Sequence, residues 1–273
     1  MCRHLAYLGS QRTLSSLVVD RPHSLYEQSW APVRQRHGTV NVDGFGVGWY
    51  VGRPAPVRYR RAQPIWTDAS FASLAPTIAT TCAVAAVRSA TVGMSPDESA
   101  AAPFTHDRWL FSHNGRLHDW ATARKALGPL AADVPDTRVG VDSALLFGLA
   151  LAGWQAGAPL AVGLADAARS VLDHGGGRLT MLASDGASIA GVVAGEPMHV
   201  LVEADGTTIA SEPHDDDPDW REPADGTVLH VDAEGVTETS LGAGPAPVQS
   251  GLADPALVAR SAVPTGVSRW CAG

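Results

Sequence analysis

Cys2 stands one residue from the start of the chain. Cysteine is small, so a methionine before it is normally removable, and loss of Met1 would make Cys2 the N-terminus. A thiolate nucleophile and a free α-amine of unperturbed pKa about 8 would then share one residue, with the amine as general base. The same residue also reads as a small apolar side chain in an edge strand. Ser112-His113-Asn114-Gly115 supplies a side-chain amide beside a glycine N–H. Two neutral donors at a strand end suit the oxyanion of a tetrahedral intermediate, although Asn-Gly is also a common turn dipeptide. Arg88 follows an apolar run and opens a long loop, where it can grip a carboxylate in bidentate fashion or lie in a surface salt bridge. Asp142 begins an apolar helix and can receive an ammonium or act as an N-cap. Ser211-Glu212-Pro213 reads as a turn that ends a strand.

These residues need elements to position them. Arg3 to Leu8 forms a short strand closed by Gly9, and Leu14 to Val19 and Ser24 to Trp30 form short helices. Over residues 43–50 apolar side chains alternate with Gly44, Gly46 and Gly48, a strand that another backbone or a ligand approaches closely. Phe71 to Ala79 is helical, and Cys82 to Val87 is a buried strand. A loop over 88–106 follows, long enough to be functional. Trp109 to Ser112 is a strand ending at His113. Asp119 caps a helix through Leu127. The uncharged stretch 144–165 is two helices broken at Gly157-Ala158-Pro159 rather than a membrane span. From residue 179 to 240, short β segments recur at hairpin spacing. Helices and strands cluster in runs, so the class is α+β.

The chain has 273 residues, 45% hydrophobic and 18% charged, which is enough apolar material for a sizeable core. A formal net charge of -8 argues against nucleic acid and anionic membrane surfaces as partners. Three cysteines, an odd number, fit a reducing cytoplasm better than a disulfide framework. No Cys/His pair has zinc-ligand spacing, and Asp215-Asp216-Asp217-Pro218-Asp219 lacks the glycine and glutamate of a calcium loop, so no metal is expected. The glycines at 44, 46 and 48 do not form a phosphate loop. The catalytic domain is expected over 1–241. A Gly/Ala/Pro-rich irregular tail is expected over 242–273, with Trp270 able to dock.

Taken together, Cys2-Arg3-His4, the 43–49 segment, 87–93, Ser112-His113-Asn114-Gly115, Asp142-Ser143 and 210–213 stand in an order that resembles the class II glutamine amidotransferases of the N-terminal-nucleophile hydrolase superfamily. The resemblance implies a four-layer αββα sandwich of two antiparallel sheets between helices. It implies Cys2 as nucleophile with its α-amine as proton shuttle, and Asn114 and Gly115 as the oxyanion hole. Arg88 would hold the α-carboxylate of a γ-glutamyl group and Asp142 its α-ammonium. Thr91 and the loop behind it would close over this group, and His113 would orient the strand end. No cofactor is implied; the partner would be a small γ-glutamyl substrate.

No acceptor domain is expected in residues 242–273 after the amidase part. Residues 28–32, 36–38, 66–73 and 86–94 are further similar to stand-alone members that remove glutamate from γ-glutamyl-hercynylcysteine S-oxide in ergothioneine biosynthesis. The alternatives are a glutaminase subunit that feeds ammonia to a separate synthase, and an inactive scaffold that only binds. A trimethylammonium on the leaving group would need aromatic faces, for which Trp30, Trp66, Phe71 and Phe104 are candidates. His106 and His118 have no assigned role and read as exposed loop histidines. The residues alone do not determine the oligomeric state.

Overall fold

The computed structural model describes residues 2–91 and 93–242. The strands are β1 (Arg3–Thr13), β2 (Phe45–Trp49), β3 (Val57–Arg61), β4 (Ala79–Val87), β5 (Phe104–His106), β6 (Trp109–Leu117), β7 (Gly177–Ser184), β8 (Ile189–Val193), β9 (His199–Glu203), β10 (Gly206–Ala210), β11 (Thr227–Asp232) and β12 (Gly235–Ser240). The helices are α1 (Leu14–Val18), α2 (Leu25–Gln28), α3 (Ala69–Leu74), α4 (Trp120–Leu127), α5 (Asp142–Gln155) and α6 (Leu160–Leu172). One six-stranded sheet runs β3-β2-β4-β1-β10-β9 and the other β12-β11-β8-β7-β6-β5. The neighbouring strands pair antiparallel, as in β1 with β4 and with β10 and in β6 with β7.

The period of two in each strand sorts its side chains between layers. Along β1, Leu5 and Tyr7 face outward and pack with Leu14, Leu17, Leu25 and Phe71 from α1, α2 and α3. Ala6 faces inward and meets Val84, Leu110, Leu182 and Val200 between the sheets. On the far side, Phe111 and Met181 bury Leu146, Phe147 and Leu164 from α5 and α6. Three cores thus separate four layers in the order helix, sheet, sheet, helix, the expected architecture. Each fully buried Leu or Phe in these cores contributes about 1.5–3 kcal/mol. α5 is apolar on almost every side because it is enclosed by β6, α4 and α6. The side chains of Thr13, Ser24, Asp68 and Asp119 accept from the first-turn N–H groups of α1, α2, α3 and α4.

The glycines of β2 answer to close packing. A Cβ on Gly46 would lie 2.3 Å from the Ala102 carbonyl oxygen, and one on Gly48 would lie 2.5 Å from Leu110. Another backbone does approach this strand.

Several expected boundaries differ. β1 runs past Gly9 to Thr13, shifting register on β4 between Leu8 and Arg12. The helix expected over 71–79 is six residues of α-helix, and β4 begins at Ala79. β3 carries Arg-Tyr-Arg-Arg, polar enough to resemble a loop, and forms a sheet edge. β5 lies inside the segment read as a loop. Pro159 precedes the first turn of α6 as its N-cap. The tail assigned to 242–273, with Trp270, lies outside the described residues from 243 onward. No described helix is long and apolar enough to cross a membrane.

Candidate active site

The start of β1, the end of β4, the middle of β6 and the start of α5 converge on one cleft. Cys2, Arg88, Thr91, His113, Gly115 and Asp142 all line it, with Met94 and Phe104 on its apolar wall. Cys2 is half-buried at the head of β1, a central strand rather than an edge. Its thiol lies 3.9 Å from the Ser89 carbonyl.

Arg88 sits where β4 ends, and its N–H donates to the Gly44 carbonyl at 2.7 Å. Its guanidinium donates to the carbonyls of Asp43 (3.3 Å) and Ser95 (2.6 Å). Those neutral acceptors fix its direction. No carboxylate among the described residues stands within 4.0 Å ion-pair range of Arg88, so it is not held in a surface salt bridge. The loop after it is pinned by Asp43, whose carboxylate accepts from the Ala90 N–H at 2.7 Å. Thr91 therefore starts from a fixed point at the cleft.

Asp142 is the first residue of α5, and Val141 occupies the N-cap position, so the capping role weighed above does not apply. One carboxylate oxygen accepts from the Ser143 N–H at 2.8 Å and the other from the Leu117 N–H at 3.1 Å. These are backbone donors. No cation among the described residues lies in ion-pair range of this carboxylate. The helix N-terminus favours its charge.

His113 ties β6 to α5. Its Nε2 is 3.0 Å from the Arg178 carbonyl, which can only accept, so Nε2 carries the proton. Nδ1 lies 3.0 Å from the Ser143 hydroxyl oxygen. These two contacts hold the first turn of α5, with Asp142, against the strand.

Asn114 and Gly115 lie within β6, opposite Thr180 and Leu179, and form neither a strand end nor a hairpin turn. Alternation places His113 and Gly115 toward the cleft, whereas Asn114 is fully buried and does not line it. Its Nδ2 donates to Ser211 Oγ at 3.4 Å, and its Oδ1 is buried without a partner. Gly115 has φ +155, and a Cβ there would lie 1.9 Å from the Arg178 carbonyl oxygen. Only glycine fits this close approach. Ser211 Oγ also accepts from the His4 N–H at 3.0 Å and so bridges β1 to Asn114. Glu212 is buried and accepts from the Val33 and Arg34 N–H groups at 3.2 and 2.5 Å. Neither contact is visible in the dipeptide, because both partners come from distant parts of the chain.

His4 lies between the sheets with Nδ1 3.0 Å from Ser112 Oγ. Burial, with His113 and Arg3 nearby, pushes its imidazole down to about 3 and keeps it neutral. Phe71 belongs to the outer core, while Phe104 lines the cleft. Trp30 and Trp66 meet edge to face at 5.5 Å, 41% and 37% exposed. His118 is exposed, but His106 is half-buried at the end of β5, 3.4 Å from Asp107. The acidic 215–219 run is not wholly solvated: Asp215 pairs with Arg21 at 3.2 Å and accepts from Trp220 Nε1 at 2.8 Å. Among the described residues, no His, Cys, Asp or Glu group has the arrangement of a metal site.

The class of protein follows from comparison with known sequences. The sequence model of the class-II glutamine amidotransferases matches residues 14–202, and the chain belongs to that family. It is 42% identical over 241 residues to the gamma-glutamyl-hercynylcysteine sulfoxide hydrolase of Mycobacterium tuberculosis, covering 88% of this chain and 97% of that one. The Mycolicibacterium smegmatis protein of the same name is 41% identical over 242 residues, covering 88% and 100%. A glutamine aminotransferase class-II domain protein from Silicibacter pomeroyi superposes with TM-score 0.65 at 25% identity, covering 89% of this chain and all of that one. The glutamine phosphoribosylpyrophosphate amidotransferase of B. subtilis shares the fold, with TM-score 0.65 at 16% identity, covering 88% of this chain and 49% of that one.

Proposed function

We propose that this chain hydrolyses the γ-glutamyl amide of γ-glutamyl-hercynylcysteine sulfoxide, the compound that names its relatives, through a thioester on Cys2. The observation that carries the reading is the charge pattern of the cleft. A cation, Arg88, and an anion, Asp142, lack ionic partners among the described residues and line one cleft with a thiol. An α-amino-acid head is a zwitterion, and such a pair complements it.

Removal of Met1 frees the Cys2 α-amine, which takes the thiol proton. The thiolate attacks the γ-carbonyl carbon and its oxygen becomes an oxyanion. The Gly115 N–H, on the cleft side of β6, is the first donor for that oxyanion, and the Asn114 amide is the second once its Nδ2 turns from Ser211 Oγ toward the cleft. Collapse breaks the C–N bond, and the ammonium returns its proton to the departing amine. Water, deprotonated by the same amine, attacks the thioester and releases glutamate and the thiol. Arg88 and Asp142 hold the head throughout, and His113 positions Asp142 through Ser143. Thr91 and its loop complete the cover. Catalysis of this kind fits within 1–241 and calls for no cofactor. The unpaired Cys2 and Cys82 suit a reducing cytoplasm.

The test is release of glutamate by the Met-processed protein from γ-glutamyl-hercynylcysteine sulfoxide and, separately, from L-glutamine, with Cys2→Ala as control. Fast release from the first and little from glutamine is expected, with none from Cys2→Ala. Glutamine as the better substrate would move the chain to the ammonia-supplying members. Turnover by Cys2→Ala would remove the nucleophile assignment.

A further inference from the structure

The glutamyl cleft uses only half of the rim around Cys2. Beyond β1 the rim continues through the ends of β10 and β9 in one sheet and of β7 and β8 in the other. Ser211, Glu212, His199, Arg178 and Glu196 stand there, and the segment over 31–40 lies across them. That segment has no helix or strand and is mostly exposed. It is held by Glu212 at Val33 and Arg34, and by Arg34 Nη1 at 2.9 Å from His199 Nε2.

Beneath it lies Arg3, next in sequence to Cys2 and 1% exposed. Its Nε donates to Gln35 Oε1 at 3.2 Å, a neutral acceptor that also receives Asn41 Nδ2 at 3.0 Å. Arg3 Nη2 is buried without a partner, as are Gln35 Nε2 and His199 Nδ1. No carboxylate among the described residues is in ion-pair range of Arg3; Glu212 and Glu196 act on its charge from beyond 4.0 Å, and both are engaged elsewhere, Glu212 by the Val33 and Arg34 N–H groups and Glu196 by Arg178 at 2.7 Å. A buried guanidinium with no carboxylate in contact is costly, and so is each unmet buried donor. Two donors converge on the Gln35 amide oxygen where a carboxylate oxygen would be bound more strongly.

We propose that Arg3 anchors a carboxylate on the amine leaving group, reached when the 31–40 segment withdraws Gln35. The leaving group it selects is an α-amino acid or its derivative, whose carboxylate is one carbon from the scissile nitrogen. The position suits this, since Arg3 adjoins the nucleophile on the side away from the glutamyl cleft. The assignment rests on the γ-glutamyl amidohydrolase reading and deepens it.

The test compares γ-glutamyl-S-methylcysteine with γ-glutamyl-S-methylcysteamine, which differ only in that carboxylate. The wild-type protein should prefer the first in kcat/KM by roughly 10- to 100-fold, the range of a charge-assisted hydrogen bond. In Arg3→Gln the ratio should fall to near one. A wild-type ratio below about two overturns the proposal on its own, whether or not the variant folds. An unchanged ratio in Arg3→Gln also overturns it, because a purely structural role would lower both rates together. Turnover of both compounds at equal rates defeats only the Arg3 assignment. No glutamate from either compound or from glutamine defeats the amidohydrolase reading and this proposal with it.

Discussion

Replacing Asp142 by Asn changes one atom and removes two things at once. The carboxylate accepts from Leu117 and Ser143 through different oxygens. Asparagine has one acceptor, so its NH2 would face one of those N–H groups. An unsatisfied buried donor costs about 1–3 kcal/mol, which for a domain of this size lowers Tm by roughly 2–10 °C. The charge proposed to face the substrate ammonium is also lost. A charge-assisted hydrogen bond contributes roughly 1.5–3 kcal/mol, so KM for a γ-glutamyl amide should rise roughly 10- to 150-fold. The assay pairs that substrate with the matching glutaryl amide, which lacks the α-ammonium. At a temperature where the variant is folded, the loss should appear with the γ-glutamyl compound and largely vanish with the glutaryl one. Equal losses on both would show that Asp142 acts only by setting the start of α5. A KM within twofold of wild type would refute its placement against the substrate.

Gly115→Ala should destabilise the protein by more than about 3 kcal/mol, since the new Cβ would lie 1.9 Å from a backbone oxygen and must push β6 from β7. A Tm within about 3 °C of wild type, read by calorimetry, would mean the strand yields more easily than this packing allows. His214 is buried edge-on to Trp220 with neither ring nitrogen hydrogen-bonded, and burial pushes its pKa down to about 4. The unfolded chain then binds more protons than the folded one between about pH 6.5 and 4, so stability falls as pH falls through that window. His214→Phe keeps the ring and should flatten the loss of Tm across it. A Tm–pH curve parallel to wild type would refute the linkage.

The candidate chemistry was legible from short local patterns. Cys2, Arg88, Asp142 and the His113-Asn114-Gly115 run each has a type and place that suggest a role, and their order identified the family. Alternation and caps marked most elements, because those signals act within a few residues. α4 is bounded as read, from the Asp119 cap to Leu127. Patterns without apolar alternation were missed, β3 above all, since an edge strand rich in arginine satisfies its sheet through backbone bonds.

What no local pattern could decide was which charges stay unpaired and which face each residue of β6 presents. Asn-Gly looks like a turn in sequence, but pairing with β7 carries β6 straight through it to Leu117, because the four-layer packing rewards a continued ladder over a two-residue loop. Asp142 looks like a cap, but the meeting of α5 with β6 gives its second oxygen to Leu117. Arg3 looks like an ordinary polar residue near a terminus. Its burial without a carboxylate in contact arises only when a segment some thirty residues away closes over it. Residue types and their order are written along the chain; counter-ions and strand faces are properties of neighbours in space, and only folding brings those neighbours together.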